Sequence, residues 1–324
     1  MQRILVTGAA GQVGAELVPA LRVAYGASAV LATDIRTPPG EIEGDGPFRT
    51  LDCSDAAAIA EMVRAHRADA IYHLAALLSA SAERKPQQAY TVNMGTLYNV
   101  LEVAREAGCA VFTPSSIGAF GPSTPRDPAP QDTIQRPTTM YGVTKVAGEL
   151  LCDYYHHRFG LDTRGLRYPG LISYVAPPGG GTTDWAVDIF HHALRAGRYA
   201  CFLSADTQTD MMFMPDAVRA AIEVMEADGA HLKHRNAFNV TAMQLTPERL
   251  AAAIRVHLPA FKITYDVDPV RQAIADSWPR RIDDSAAREE WGWRSVFDID
   301  AMTKEMIVKL STRADAEGPL HATG

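Results

Sequence analysis

The sequence predicts an α/β fold, a doubly wound parallel sheet with a smaller, partly interleaved C-terminal lobe. Three observations carry this expectation. Short apolar runs alternate with helical patterns through the first half, which suits parallel strands joined by crossover helices. A glycine-rich turn joins the first strand to the first helix. A chain of 324 residues can form one large α/β unit or two modest domains.

Arg3 to Val6 reads as the first strand and Gln12 to Tyr25 as the first helix. Ala29 to Thr33 is a second strand, ended by Asp34, and Phe48 to Leu51 a short third. Ala56 to His66 has helical spacing, and Ala70 to Leu74 is a fourth strand. Gln87 to Ala107 is a long helix and Ala110 to Thr113 a fifth strand. After a Pro-rich loop, Met140 to Phe159 forms another long helix, followed by a strand at Thr163 to Arg167. From Gly170 the pattern is less regular. Pro177, Pro178 and Gly179 to Gly181 mark a loop, and Trp185 to Ala196 reads as a helix. The expected division gives 1–169 to a nucleotide lobe, with a return segment at about 213–240. A substrate lobe takes 170–212 and 241–312, and the tail from Arg313 to Gly324 lacks apolar periodicity and is expected to fray.

The hydrophobic fraction of 47% suits a globular chain with a sizeable core. A formal charge of −7 and the lack of a basic stripe argue against nucleic acid as a partner. No apolar run approaches the ~20 residues of a membrane helix, and the amino terminus enters a strand without a leader-like segment. Cys53, Cys109, Cys152 and Cys201 are scattered, which fits reduced thiols in a cytoplasm. His156-His157 and His191-His192 are adjacent pairs whose members diverge on a helix, so no metal is expected. Met211, Met212 and Met214 are expected to fill packing gaps.

Gly8, Gly11 and Gly14 form a G-x-x-G-x-x-G turn at the first strand–helix junction, a Rossmann-type arrangement. It allows close backbone approach to a pyrophosphate, whose charge meets the helix N-terminus. Asp34 lies 20 residues beyond Gly14, at a strand end, where a carboxylate accepts from ribose hydroxyls and repels a 2′-phosphate. The expected cofactor is therefore NAD rather than NADP, with Arg36 the one neighbour able to soften that preference. Asp52 holds the adenine amine or caps a helix.

Tyr141 and Lys145 lie one helical turn apart and share a face. For a tyrosine to act as a base near neutral pH, neighbouring positive charge must stabilise the phenolate by about 3–4 kcal/mol. A lysine ammonium and an oxidised nicotinamide ring are groups of that kind. Ser115 and Ser116 follow the fifth strand, at the carboxyl edge where open α/β sheets bind ligands, and a hydroxyl there can orient the reacting oxygen.

These residues sit in segments that resemble the extended short-chain dehydrogenases/reductases of the epimerase/dehydratase superfamily over nearly the whole chain. The segments are LVTGAAGQVGAELVPALR, YHLAALLSASAE, PSSIGAFGP, TMYGVTKVAGELL, LRYPGLISY, GGGTTDWAV and ADSWPRRIDDSAAREEWGW. The last three are similar to the short-chain L-threonine 3-dehydrogenase family within that superfamily. The resemblance implies NAD-dependent oxidation of the β-hydroxyl of L-threonine to 2-amino-3-oxobutyrate, a step of threonine catabolism. It implies Tyr141 as base, Lys145 as its partner and Ser116 in a hydroxyl position often held by threonine. For NAD it adds Gln12, Val13, Leu74, Ala75, Ala76, Asn93 and Tyr168 to the glycines, Asp34 and Asp52. Ser79, Thr182 and Thr183 would line the substrate site, with Trp278 closing over it. The family commonly dimerises through the two long helices, so a homodimer is expected.

The Gly180-Gly181-Thr182-Thr183-Asp184 run before a helix could hold a substrate carboxylate, or Thr183 or Asp184 could simply cap that helix. Two alternatives remain beside threonine oxidation. A nucleotide-sugar epimerase or dehydratase would need basic residues for a diphosphate, and between Gly170 and Pro215 the chain offers only Arg195 and Arg198, both on a helix end. A non-enzymatic, NAD-sensing regulator would have no need of Tyr141, Lys145 and Ser116, all of which are present.

Overall fold

A computed structural model describes residues 1–36, 46–176 and 181–317. Pro177 to Gly180 of the expected loop and residues 318–324 of the expected tail lie outside the described residues. The large sheet contains β1 (Ile4–Thr7), β2 (Val30–Asp34), β3 (Phe48–Thr50), β4 (Ala70–His73), β5 (Ala110–Ser116), β6 (Thr163–Tyr168) and β10 (Phe238–Asn239). Their order is β3-β2-β1-β4-β5-β6-β10, all parallel. The chain reverses its direction of winding between β1 and β4, which opens a crevice at the carboxyl ends of those strands.

Helices α1 (Gly14–Tyr25), α2 (Ala56–His66), α3 (Ser79–Arg84), α4 (Pro86–Ala107) and α5 (Met140–Phe159) accompany the strands. Strand alternation divides the core between the two faces. Ile4, Val6, Tyr72, Phe112 and Leu166 pack with Leu17 and Leu21 of α1, while Leu5, Leu31, Ile71 and Val111 pack with α2, α4 and α5.

The expected bounds of α5 hold because its ends are locally encoded. Thr139 caps the first turn by accepting from the Gly142 amide at 3.1 Å, and Gly160 ends the helix at φ 68°. Helix α1 starts at Gly14 rather than Gln12, because Gly11 turns back to donate to the Gly8 carbonyl at 3.0 Å. Strand β5 runs past the expected Thr113 to Ser116. Its pairing with β4 ends at Phe112, so the missing N–H of Pro114 interrupts no ladder on that side, while β6 pairs on to Tyr168.

A second core lies beside the sheet. Strands β7 (Gly170–Ile172), β9 (Thr209–Phe213) and β11 (Met243–Leu245) form a small sheet in the order β11-β9-β7. Around it pack α6 (Trp185–Ala196), α8 (Pro247–His257) and α11 (Ile299–Glu317), burying Trp185, Phe190, Ile254, Met302 and Met306. Strand β8 (Arg198–Cys201) pairs with β12 (Lys262–Tyr265), and α9 (Pro269–Ser277) follows. Strand β9 serves both cores: Met211 and Phe213 face the second, while Met212 and the adjoining Met214 face the first. Helix α7 (Met214–Glu226) and α10 (Ser285–Trp291) pack on the large sheet, the latter through Ala286 and Ala287.

Residues 313–317, at the start of the expected tail, continue α11. Arg313 anchors it by donating to the carbonyls of Tyr174, at 2.7 Å, and Val175, at 3.0 Å. The four cysteines are free and buried. Among the described residues no helix is long and apolar enough to cross a membrane.

Candidate active site

The glycine turn is shaped by contacts that side chains would prevent. At Gly8, with φ +72°, a Cβ would lie 2.6 Å from the Ala75 nitrogen. At Gly14 it would lie 2.5 Å from the Ala9 carbonyl oxygen. The Leu74 amide donates to the Thr7 carbonyl at 3.0 Å, so Leu74, Ala75 and Ala76 run beside this turn, all half-buried. Gln12 and half-buried Val13 lead from it into α1. A cradle that a single Cβ would fill, at a helix N-terminus, fits the pyrophosphate of a dinucleotide.

Asp34 is buried at the end of β2, and its carboxylate reaches over the turn. Oδ2 accepts from the Ala10 amide at 3.0 Å, and Oδ1 from the Arg36 amide at 2.9 Å. The Arg36 guanidinium is held by Asp34 at 3.4 Å and by the Ala10 carbonyl at 3.1 Å. Asp52 is not a helix cap, because Asp55 takes that position on α2. Asp52 shapes the preceding turn by accepting from the Ser54 amide at 2.9 Å. Asn93 accepts from the Leu77 amide at 2.8 Å and donates to Thr144 Oγ1 at 3.2 Å, tying the chain after β4 to α5.

Tyr141 and Lys145 share the face expected of them. Lys145 Nζ lies 5.4 Å from the centre of the Tyr141 ring. It is steadied by a 2.6 Å hydrogen bond to the Pro114 carbonyl, which the end of the β4 pairing leaves accessible. A Cβ on Gly118 would be 3.2 Å from the Tyr141 ring and 3.5 Å from Ser116 Oγ, so the hydroxyl and the phenol flank the same glycine. Ser116 Oγ accepts from the Gly118 amide at 3.1 Å.

Ser115 and Ser116 do not converge, because consecutive strand residues face opposite sides. The Ser115 hydroxyl donates to the buried Glu149 carboxylate of α5. The Tyr168 side chain also points elsewhere, donating to the Ala217 carbonyl at 2.7 Å, although its backbone pairs with Ser116.

Ser79 opens α3 and is half-buried. That helix meets the start of α5, where Glu83 accepts from the Met140 amide at 2.7 Å. Thr182 is buried, and the Thr183 methyl abuts Gly170, where a Cβ would lie 2.8 Å from it. Asp184 occupies the cap position of α6 without making a side-chain cap bond. Its Oδ2 instead accepts from the Gly181 amide at 2.7 Å, closing the turn that carries the two threonines. Trp278 does not stand open as a cover. It is buried against Ile117, Phe120 and Ile282, directly behind the turn that follows Ser116.

Sequence reasoning missed His73, Glu149 and Arg167. His73 is fully buried at the end of β4, its Nδ1 2.8 Å from Thr7 Oγ1 and its Nε2 3.3 Å from Thr96 Oγ1. Burial and the Lys145 charge push its imidazole down to about 3, so it stays neutral. Glu149 had a signal: it lies one turn beyond Lys145, on the face that carries Tyr141.

A glycine cradle, an acid at the second strand end and a Ser/Tyr/Lys group at the sheet's carboxyl edge define a nicotinamide-dependent oxidoreductase. The chain belongs to the NAD dependent epimerase/dehydratase family, which it matches over residues 4–240. It is 56% identical over 318 residues to an uncharacterized epimerase/dehydratase of Staphylococcus saprophyticus, covering 98% of this chain and 99% of that one. Its structure is similar to an L-threonine dehydrogenase from Clostridium difficile, with a TM-score of 0.95 and 53% identity over 97% of this chain and 98% of the other. The holo form of a GalE-like L-threonine dehydrogenase from Cupriavidus necator gives a TM-score of 0.92 and 47% identity, over 95% and 99% of the two chains. The protein is an enzyme of this family, and its cofactor is NAD.

Proposed function

We propose that the enzyme oxidises the β-hydroxyl of L-threonine to 2-amino-3-oxobutyrate, a step of threonine catabolism. The observation that carries this reading is the Ser116 hydroxyl and Tyr141 phenol flanking Gly118, with Lys145 beside the ring. NAD, held in the glycine cradle, would supply a hydride acceptor for the carbinol carbon. Tyr141 takes the hydroxyl proton, Ser116 orients the oxygen that loses it, and the Lys145 ammonium lies beside the phenol ring. Gly8, Gly11, Gln12, Val13 and Gly14 would cradle the pyrophosphate, and Asp34 the adenosine ribose.

The substrate assignment draws support from charge. A nucleotide sugar brings a diphosphate, yet Arg195 and Arg198, the cations between Gly170 and Pro215, are exposed at the end of α6 and the start of β8. A small zwitterion needs only short donors and acceptors such as Ser79, Thr182 and Thr183. The two L-threonine dehydrogenases described above point the same way. The working form is a homodimer joined through α4 and α5, where Tyr90, Tyr98, Leu150 and Tyr154 leave apolar surface exposed.

The test is NADH formation at mildly alkaline pH with L-threonine, set against a panel of nucleotide sugars. L-threonine should be the substrate turned over. Tyr141→Phe should lose most turnover and still bind NAD, since the phenol is needed only for chemistry. Equal turnover by that variant would overturn the assignment.

A further inference from the structure

We infer that Ser115 and Glu149 are positioning residues that aim the Ser116 hydroxyl at Tyr141 by locking the end of β5 onto α5. The inference rests on the roles proposed above for Ser116 and Tyr141.

Strand β5 loses its β4 neighbour after Phe112, so beyond it β6 pairs one edge while on the other Lys145 bonds the Pro114 carbonyl, leaving the two serines without a strand partner on that side. A rotation about that end would turn Ser116 away from the phenol, because successive side chains alternate. The register puts Ser115 opposite Arg167 and Ser116 opposite Tyr168. Ser115 and Arg167 therefore share the α5 face, and both bond the same carboxylate. Ser115 donates its hydroxyl to Glu149 Oε1. Arg167 grips Glu149 with two parallel bonds, Nε to Oε1 at 3.1 Å and Nη2 to Oε2 at 2.9 Å. Gln135 donates to Oε2 at 2.7 Å.

Glu149 lies two turns beyond Tyr141 on α5, so one carboxylate fixes the helix that carries the base against the strand that carries Ser116. The network runs on. Arg167 donates to the Gln131 carbonyl at 2.8 Å and to Asn239 Oδ1 at 3.3 Å, and Asn239 Nδ2 donates to the Asp283 carbonyl at 3.1 Å. It thus reaches the segment whose Trp278 and Ile282 pack on Ile117, the residue after Ser116. Buried ion pairs are poor stabilisers compared with apolar packing of the same volume. A pair with side chains only 7% and 9% exposed is better understood through the geometry it imposes.

The experiment is a double-mutant cycle on the full-length enzyme, measuring kcat and KM with L-threonine, NADH binding by fluorescence, and melting temperature. Ser115→Ala should lower kcat about tenfold, as small misplacements of reacting groups do, with NADH affinity unchanged. In a Ser116→Ala background the same substitution should cost less than about twofold, because the hydroxyl it aims is already gone. Replacing both charges, Glu149→Met with Arg167→Met, leaves no stranded charge and should reproduce the kcat loss in a folded protein. Wild-type kcat in Ser115→Ala, or losses that simply multiply in the double variant, would overturn the inference. If the wild type proves silent toward L-threonine, the substrate reading fails alone. The cycle is then decided on whichever alcohol of the substrate panel reduces NAD.

Discussion

At Gly8 the backbone occupies a left-handed conformation, and the place a Cβ would take is filled by the backbone of Leu74 and Ala75. Gly8→Ala therefore meets backbone rather than a side chain that can swing aside, and φ +72° adds strain of about 1–3 kcal/mol. The expected outcome is lower stability in urea titration and NAD binding weakened by more than about tenfold, since the cradle must shift. Calorimetric titration with unchanged affinity would refute that reading of the turn. The glycines, Asp34 and the Tyr141/Lys145 pair were legible in the sequence because their spacing is local. Which of two adjacent serines faces the tyrosine was not, because it depends on the register of β5 with β6 and on a carboxylate from α5. The packing of Trp278 was not legible either, because its neighbours Ile117 and Phe120 come from a distant part of the chain.

Among the elements, long helices with encoded ends were the most legible. Thr139 and Gly160 bound α5, and Asp55 begins α2 with a 3.0 Å bond from the Ala58 amide. The short strands β7 and β11 were not, since each joins its sheet only through β9, a strand distant in sequence from β7 and separated by a whole helix from β11. Two helices leave apolar surface uncovered. Leu150 is 62% exposed and Tyr154 53%, one turn apart on α5, with Tyr90 and Tyr98 on neighbouring α4. If this face joins two copies, Leu150→Glu with Tyr154→Glu should reduce the mass seen by light scattering to that of one 35.1 kDa chain. A wild-type enzyme that already scatters as one chain would dispose of the dimer.

For the whole molecule, pH exposes a buried liability. Asp210 on β9 accepts from Thr241 and from the Ile282 amide at 2.8 Å, yet burial drives its carboxyl up to about 7. Between the ordinary carboxylate range and pH 7 the folded chain keeps a proton that the unfolded chain releases. Stability from this group therefore falls as pH rises through that window and levels off above it. Asp210→Asn should flatten the decline in melting temperature from pH 5 to 8 and melt higher than wild type at pH 8. An unaltered slope would remove Asp210 as its source. Glu16, also raised to about 7, adds a decline of the same sign over a narrower pH window, whereas neutral His73 acts in the opposite sense below about pH 6.5. The seam between the two cores has a consequence of its own. Only Pro169 parts β6 from β7, α7 follows β9 without a break, and three residues part β10 from β11. A hybrid that exchanged the smaller half between relatives at residue 169 alone would strip α7 and β10 from the sheet they complete. Grafting a new specificity onto this scaffold must either cross all these junctions together or stay within its loops.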